Sequence, residues 1–208
     1  MNRNTVRVCR IVALMALAVV MVAQAFGQGQ LRMTTPQTPV EPYSVAYFTN
    51  NTAAAPDAQL RFTNDGENGA PPANMTANIY VFDTTQEMLE CCCAEVSANG
   101  YLALDVFNDL TSKPLTGPQP PRGIIKVVSS AGVAKCDPSS AYTALGGIRG
   151  WITHIQAAGA GAFSITESDL EDSDLGAGEL TYLQTTCAFV LTEGSGLAGA
   201  CSVADSGQ

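Results

Sequence analysis

Three cysteines occupy consecutive positions, Cys91, Cys92 and Cys93, between Glu90 and Glu95 in the stretch ECCCAE. An extended chain turns Cys91 and Cys93 to one side and Cys92 to the other. Three such neighbours do not converge easily on one tetrahedral ion. Structural zinc sites use ligand pairs spaced by a few residues, and the chain has a single histidine, His154. The triplet therefore points to disulfides rather than to a metal, provided the chain matures in an oxidising compartment.

The amino terminus supplies that compartment. A basic stretch with Arg3, Arg7 and Arg10 precedes an apolar block from Ile11 to Val22 and the tripeptide Ala23-Gln24-Ala25. This is the pattern of a secretory signal peptide over residues 1–25, cut after Ala25. The apolar block is roughly 12 residues, short of the ~20 that a membrane span needs. Of seven cysteines, only Cys9 falls within this segment, so six remain: Cys91, Cys92, Cys93, Cys136, Cys187 and Cys201. Cys187 and Cys201 flank a glycine-rich turn that could fold back, and the reading favoured here pairs them. Cys136 then takes one member of the triplet, and the other two are free thiols, a vicinal pair or an intermolecular link. The alternative sends all three triplet cysteines to Cys136, Cys187 and Cys201, which requires three chain segments to meet at one short stretch.

The 208 residues leave about 180 after cleavage, enough for one domain with a core. Apolar residues make up 46% and charged ones 14%, so the chain is globular rather than a disordered acidic tail. Losing the three signal arginines takes the formal charge from −9 to −12. Such a surface repels nucleic acid and anionic lipid.

Residues 26–42 are polar and proline-rich without periodicity and read as a flexible tether. Beyond them, short segments rich in β-branched and aromatic residues recur at 43–49, 58–64, 78–83, 101–107, 123–130 and 148–155, separated by Gly, Pro, Asn and Asp. Strands without long intervening helices predict a mainly β chain, an antiparallel sandwich with Greek-key-like connections spanning 43–208. The period then changes. Leu180, Leu183, Cys187, Val190 and Leu191 fall at helical spacing, predicting a packed helix over 177–192, with Gly176 and Glu179 as a weakened capping box and Gly194 as its stop. A shorter helix is predicted at 84–89, where Thr84 and Glu87 form a capping box leading into the triplet.

Chemistry is sparse. GSGLAG at 194–199 matches a dinucleotide fingerprint in letters, but a helix precedes it and too few residues follow. The acidic run ESDLEDSD at 167–174 reads as a solvated loop that could bind calcium through Asp169, Glu171, Asp172 and Asp174. No other cofactor is expected. Strand alternation puts Trp151 with Thr153 and Ile155 in the core and His154 with Ile152 on the other face, and no partner for His154 as a general base can be placed. No nucleophile elbow or metalloprotease motif is present, so the expected role is non-catalytic. Tyr43, Tyr47, Tyr80 and Tyr101 are candidates for a sugar-stacking face. Sequons at Asn50 and Asn74 are taken as unused in a chain whose signal is bacterial in style.

The blocks IYVFDTTQEMLECCCAEVSANGYLALDV, WITHIQ and ELTYLQTTCAFVLTEGSGLAGAC resemble those of a group of secreted bacterial proteins of unassigned activity. The resemblance implies secretion, a shared fold, and framework roles for Cys187 and Cys201. It brings no activity, cofactor or site residues. Two expectations follow: a secreted structural or interaction module of the bacterial exterior, surface-bound or periplasmic, or an extracellular carbohydrate-binding module that the strand tyrosines and a calcium-binding acidic run would serve. The corresponding partners are an extracellular protein or a polysaccharide.

Overall fold

A computed structural model describes residues 40–49, 56–66, 73–133, 135–195 and 201. The expected signal peptide, the expected tether up to residue 39, the sequon at Asn50 and the glycine motif beyond Ser195 lie outside the described residues. The chain is mainly β, with strands in two antiparallel sheets and no closed barrel. Sheet A has the order β4-β3-β6-β1-β9, built from β1 (Tyr43–Thr49), β3 (Met75–Phe82), β4 (Met88–Val96), β6 (Arg122–Ala131) and the two-residue β9 (Glu171–Asp172). Sheet B has the order β5-β2-β7-β8, from β2 (Gln59–Asn64), β5 (Tyr101–Asp105), β7 (Ile148–Gly159) and β8 (Ala162–Asp169). Among the described strands, β3–β4 and β7–β8 are the hairpins, and the other successive strands alternate between the sheets.

The alternation of each strand decides its faces. Phe48, Ile79, Val81, Ile125 and Val127 of sheet A meet Leu60, Phe62, Leu104 and Ile152 of sheet B in the main core. The opposite face of sheet A, with Tyr43, Tyr80, Phe82 and Val128, is covered by the helix α1 (Ala177–Thr192), which contributes Leu183, Cys187 and Val190 to a second core. Three layers result, and the helix has the bounds and the buried stripe its periodicity predicts. Its cap differs. Gly176 gives no side-chain cap, and Glu179 instead accepts from Lys126 Nζ at 2.6 Å and Tyr43 Oη at 3.3 Å. Gly194, at φ +82°, takes the left-handed conformation that ends the helix.

The predicted helix at 84–89 is instead the turn of the β3–β4 hairpin and the start of β4. Asp83, not Thr84, organises it: its Oδ1 accepts from the backbone N–H groups of Thr85 and Glu87. This Asx-type geometry, with Gln86 at φ +72°, closes the chain into a hairpin before a helical turn can form. The folded body also begins slightly before Tyr43, because Ser129 N donates to Pro42 O at 2.8 Å.

The favoured disulfide pairing is overturned. Cys91 bonds Cys187, Cys92 bonds Cys201 and Cys93 bonds Cys136, so Cys187 and Cys201 are not joined. The pleat explains the distribution. Cys91 points into the helix-covered core, where Cys187 waits on α1, while Cys92 points into the main core and meets Cys201. Cys93, on the same side of the strand as Cys91, takes the loop after β6 through Cys136. Cys201 N also donates to Cys93 O at 3.0 Å, so Cys201 lies against the outer edge of β4.

Leu183 is fully buried between α1 and sheet A, whereas Gln184 reaches outward to donate to Ser140 O at 2.8 Å. Leu183→Ala should therefore cost about 2 to 5 kcal/mol in chemical denaturation, and Gln184→Ala about 1 kcal/mol or less. Equal losses would contradict this helical phase.

Candidate binding face

Because α1 lies over sheet A, no described helix covers the outer face of sheet B. The strand register places its side chains in rows. Ala103, Arg61, Trp151 and Asp169 form one row from β5 to β8, while Tyr101, Thr63 and Arg149 form the next. Tyr101 is 60% exposed, and its ring centroid lies 6.2 Å from that of Trp151 at an interplanar angle of 43°. Arg61 is held in place: Nη1 donates to Glu167 Oε2 at 2.7 Å and Nη2 to Gln59 Oε1 at 2.8 Å, while Gln59 Nε2 donates to Asp105 Oδ1 at 3.1 Å.

Beside Trp151, a groove of about 440 Å³ runs between the start of β7 and the corner joining β8 to β9, with Thr63, Arg149, Asp169, Asp172 and Ser44 among its walls. Gly150 shapes its floor, since a Cβ there would stand 2.6 Å from Leu170 Cδ1. Arg149 Nε lies 3.6 Å from Asp65 Oδ2, a long ion pair that leaves donors free for other partners.

Trp151 corrects the sequence reading, which placed it in the core. Ile152, His154 and also Ile155 are buried, whereas Trp151 is only partly buried on the outer face. Apolarity misled because both faces of the stretch WITHI carry a large apolar residue, and only the register against Leu60 and Arg61 distinguishes them. Arg61, Arg149 and Gln59 were not singled out from sequence. The ladder joining distant strands is what brings them beside Trp151.

The four tyrosines separate. Tyr80 is fully buried, and its hydroxyl donates to Pro138 O at 2.8 Å and lies 2.7 Å from that of Tyr142, so burial first and then Tyr142 drive its pKa upward. Tyr43 is buried under α1, where burial and Glu179 push its hydroxyl up to about 12. Neither offers a face to a ligand. Tyr47 is exposed on one side and stacks on His154 on the other, with ring centroids 4.1 Å apart. Of the four, Tyr101 alone adjoins the partly exposed ring of Trp151.

The acidic run is not a loop. Asp169 ends β8 opposite Trp151 in sheet B, whereas Glu171 and Asp172 form β9 opposite Val45 and Ser44 in sheet A. Asp174 follows in the exposed segment before α1. The corner at Leu170 thus divides Asp169 from Glu171 and Asp172 between two sheets, with Asp174 in neither, and among the described residues no three His, Cys, Asp or Glu side chains gather as metal ligands.

His154 is buried, with Nε2 2.9 Å from Ser168 Oγ, and Nδ1 has no hydrogen-bond partner among the described residues. Burial lowers its pKa below 6.5, so folding favours the neutral imidazole. The stability this contributes is present above pH 6.5 and lost as the pH falls below it. Glu90, only 1% exposed, accepts from Lys113 N, yet burial pushes its carboxyl up to about 7.

No family model, curated protein or solved structure matches the chain.

The Glu90 carboxyl rises from 4.5 to about 7 on folding, so its contribution is full below pH 4.5 and lost as the pH climbs through 7. Glu90→Gln should accordingly stabilise the protein by roughly 1 to 3 kcal/mol at pH 8 and give no gain at pH 4. Urea titrations at the two pH values check this, and an equal effect at both would contradict it.

Proposed function

We propose that the protein is a secreted, non-catalytic interaction module of the bacterial cell exterior, and that the outer face of sheet B is its docking surface. The observation that carries this reading is the asymmetry of the sandwich. One sheet is sealed by a helix and locked to it by Cys91–Cys187, while the other presents an ordered row of aromatic and charged side chains to solvent. Three disulfides favour an oxidising compartment. No described helix is long and apolar enough to cross a membrane. The partner is an extracellular protein or a polysaccharide, and the acidic surface disfavours anionic polymers.

Co-sedimentation with washed envelopes of the source bacterium tests the reading. The secreted form should pellet with the envelopes, and Arg149→Glu combined with Trp151→Asp should abolish pelleting without unfolding the protein. Phe189→Glu, on the exposed side of α1, should leave it unchanged. Loss of pelleting in the Phe189 variant but not in the sheet B variant would refute the proposed face, and absence of pelleting altogether would refute the function.

A further inference from the structure

We infer that Trp151 and Tyr101 form a stacking platform for the pyranose rings of an uncharged polysaccharide, which the groove beside Trp151 grips through its hydroxyls. This rests on the interaction-module reading and specifies its ligand.

Three features lead to that class. The first is the aromatic pair. A tryptophan left partly exposed on a sheet face, next to an exposed tyrosine, forgoes some of the burial that makes such side chains useful in a core. Two faces inclined at 43° are poorly suited to a single flat aromatic ligand but offer successive surfaces to a chain of puckered rings, whose C–H bonds pack against π-faces.

The second is the charge pattern around the pair. In the register, Arg61 lies to one side of Trp151 and Asp169 to the other, with Arg149 in the adjacent row. Donors and acceptors therefore alternate around the ring instead of forming a patch of one sign. A sugar hydroxyl both donates and accepts, so this arrangement suits it. A phosphate or uronate would meet Asp169 and Asp172 in the groove, and an oligocation would meet Arg149 there and Arg61 beside Trp151 in the register.

The third is preorganisation and size. Arg61 is already fixed by Gln59 and Glu167, so little side-chain freedom is lost on binding. The groove, at about 440 Å³, lies within the range of small-molecule sites and leaves room for about one or two rings.

The chain has a single tryptophan, so its emission reports on this site alone. The secreted form is titrated with neutral cello-, xylo-, manno-, malto- and chito-hexaoses, with a galacturonate oligomer and oligolysine as charged controls. At least one neutral hexaose should shift Trp151 emission saturably. Tyr101→Ala should weaken that ligand roughly tenfold, Trp151→Ala should abolish its binding by calorimetry, and Phe189→Glu should leave it unchanged. The inference is overturned if no neutral hexaose acts up to about 10 mM, if Tyr101→Ala binds as well as the parent, or if only a charged control binds. Sheet B-dependent pelleting with envelopes alongside such a result would preserve the interaction module and make its partner a protein; loss of that pelleting as well would remove both readings.

Discussion

Strand β4 carries three consecutive half-cystines, and the pleat of an extended strand divides them between two cores. Cys91 fastens α1 to the outside of sheet A, Cys92 draws Cys201 into the sandwich, and Cys93 secures the loop after β6. These bridges span 96, 109 and 43 residues. Closing each loop restricts the unfolded chain by about 4 to 5 kcal/mol in the chain-entropy model, though the loops overlap and the terms do not simply add. The bridges also protect an edge. β4 borders sheet A, and its outer backbone groups are met by Leu115 N and Ser195 Oγ at Leu89 O and by Cys201 N at Cys93 O. A bare hydrophobic edge would invite pairing with another chain.

Fixing the helix to sheet A has a consequence for sheet B. With one outer face sealed, the other is left to carry the polar ladder from Asp105 through Gln59 and Arg61 to Glu167, and the Trp151–Tyr101 pair. Rigidity at β4 and display on β7 belong to one architecture, since the main core between the sheets holds the display strands in register. Glu90, one residue before the triplet, sits less comfortably in the interior, because its carboxyl is buried against a single amide.

Much of this was legible in the sequence. The strands at 43–49 and 148–155 and the helix over 177–192 announce themselves through local periodicity, and the structure places them there. β4 was not legible, because Thr84 and Glu87 mimic a helix start and the real determinant is the Asp83 side chain closing a hairpin turn. The alternation of the triplet was visible, but its use was not. It excludes a common metal, and it equally allows three separate bridges once chain segments stand on both sides of the strand. Only the packing shows that they do. Trp151 failed for a related reason: a strand with apolar residues on both faces does not declare which face is inside, and neighbouring strands decide.

The central claim, that the triplet is a hub of three long-range bridges, is tested by freeing its members one at a time. Adjacent cysteines cannot be separated by proteolysis, so each distant partner is replaced in turn and the released thiol is alkylated and located by mass spectrometry. Cys187→Ser should expose Cys91, Cys201→Ser should expose Cys92, and Cys136→Ser should expose Cys93, with no free thiol among these six cysteines in the unaltered protein. Labelling of Cys201 in the Cys187→Ser variant, or two free triplet thiols in the parent, would contradict the account.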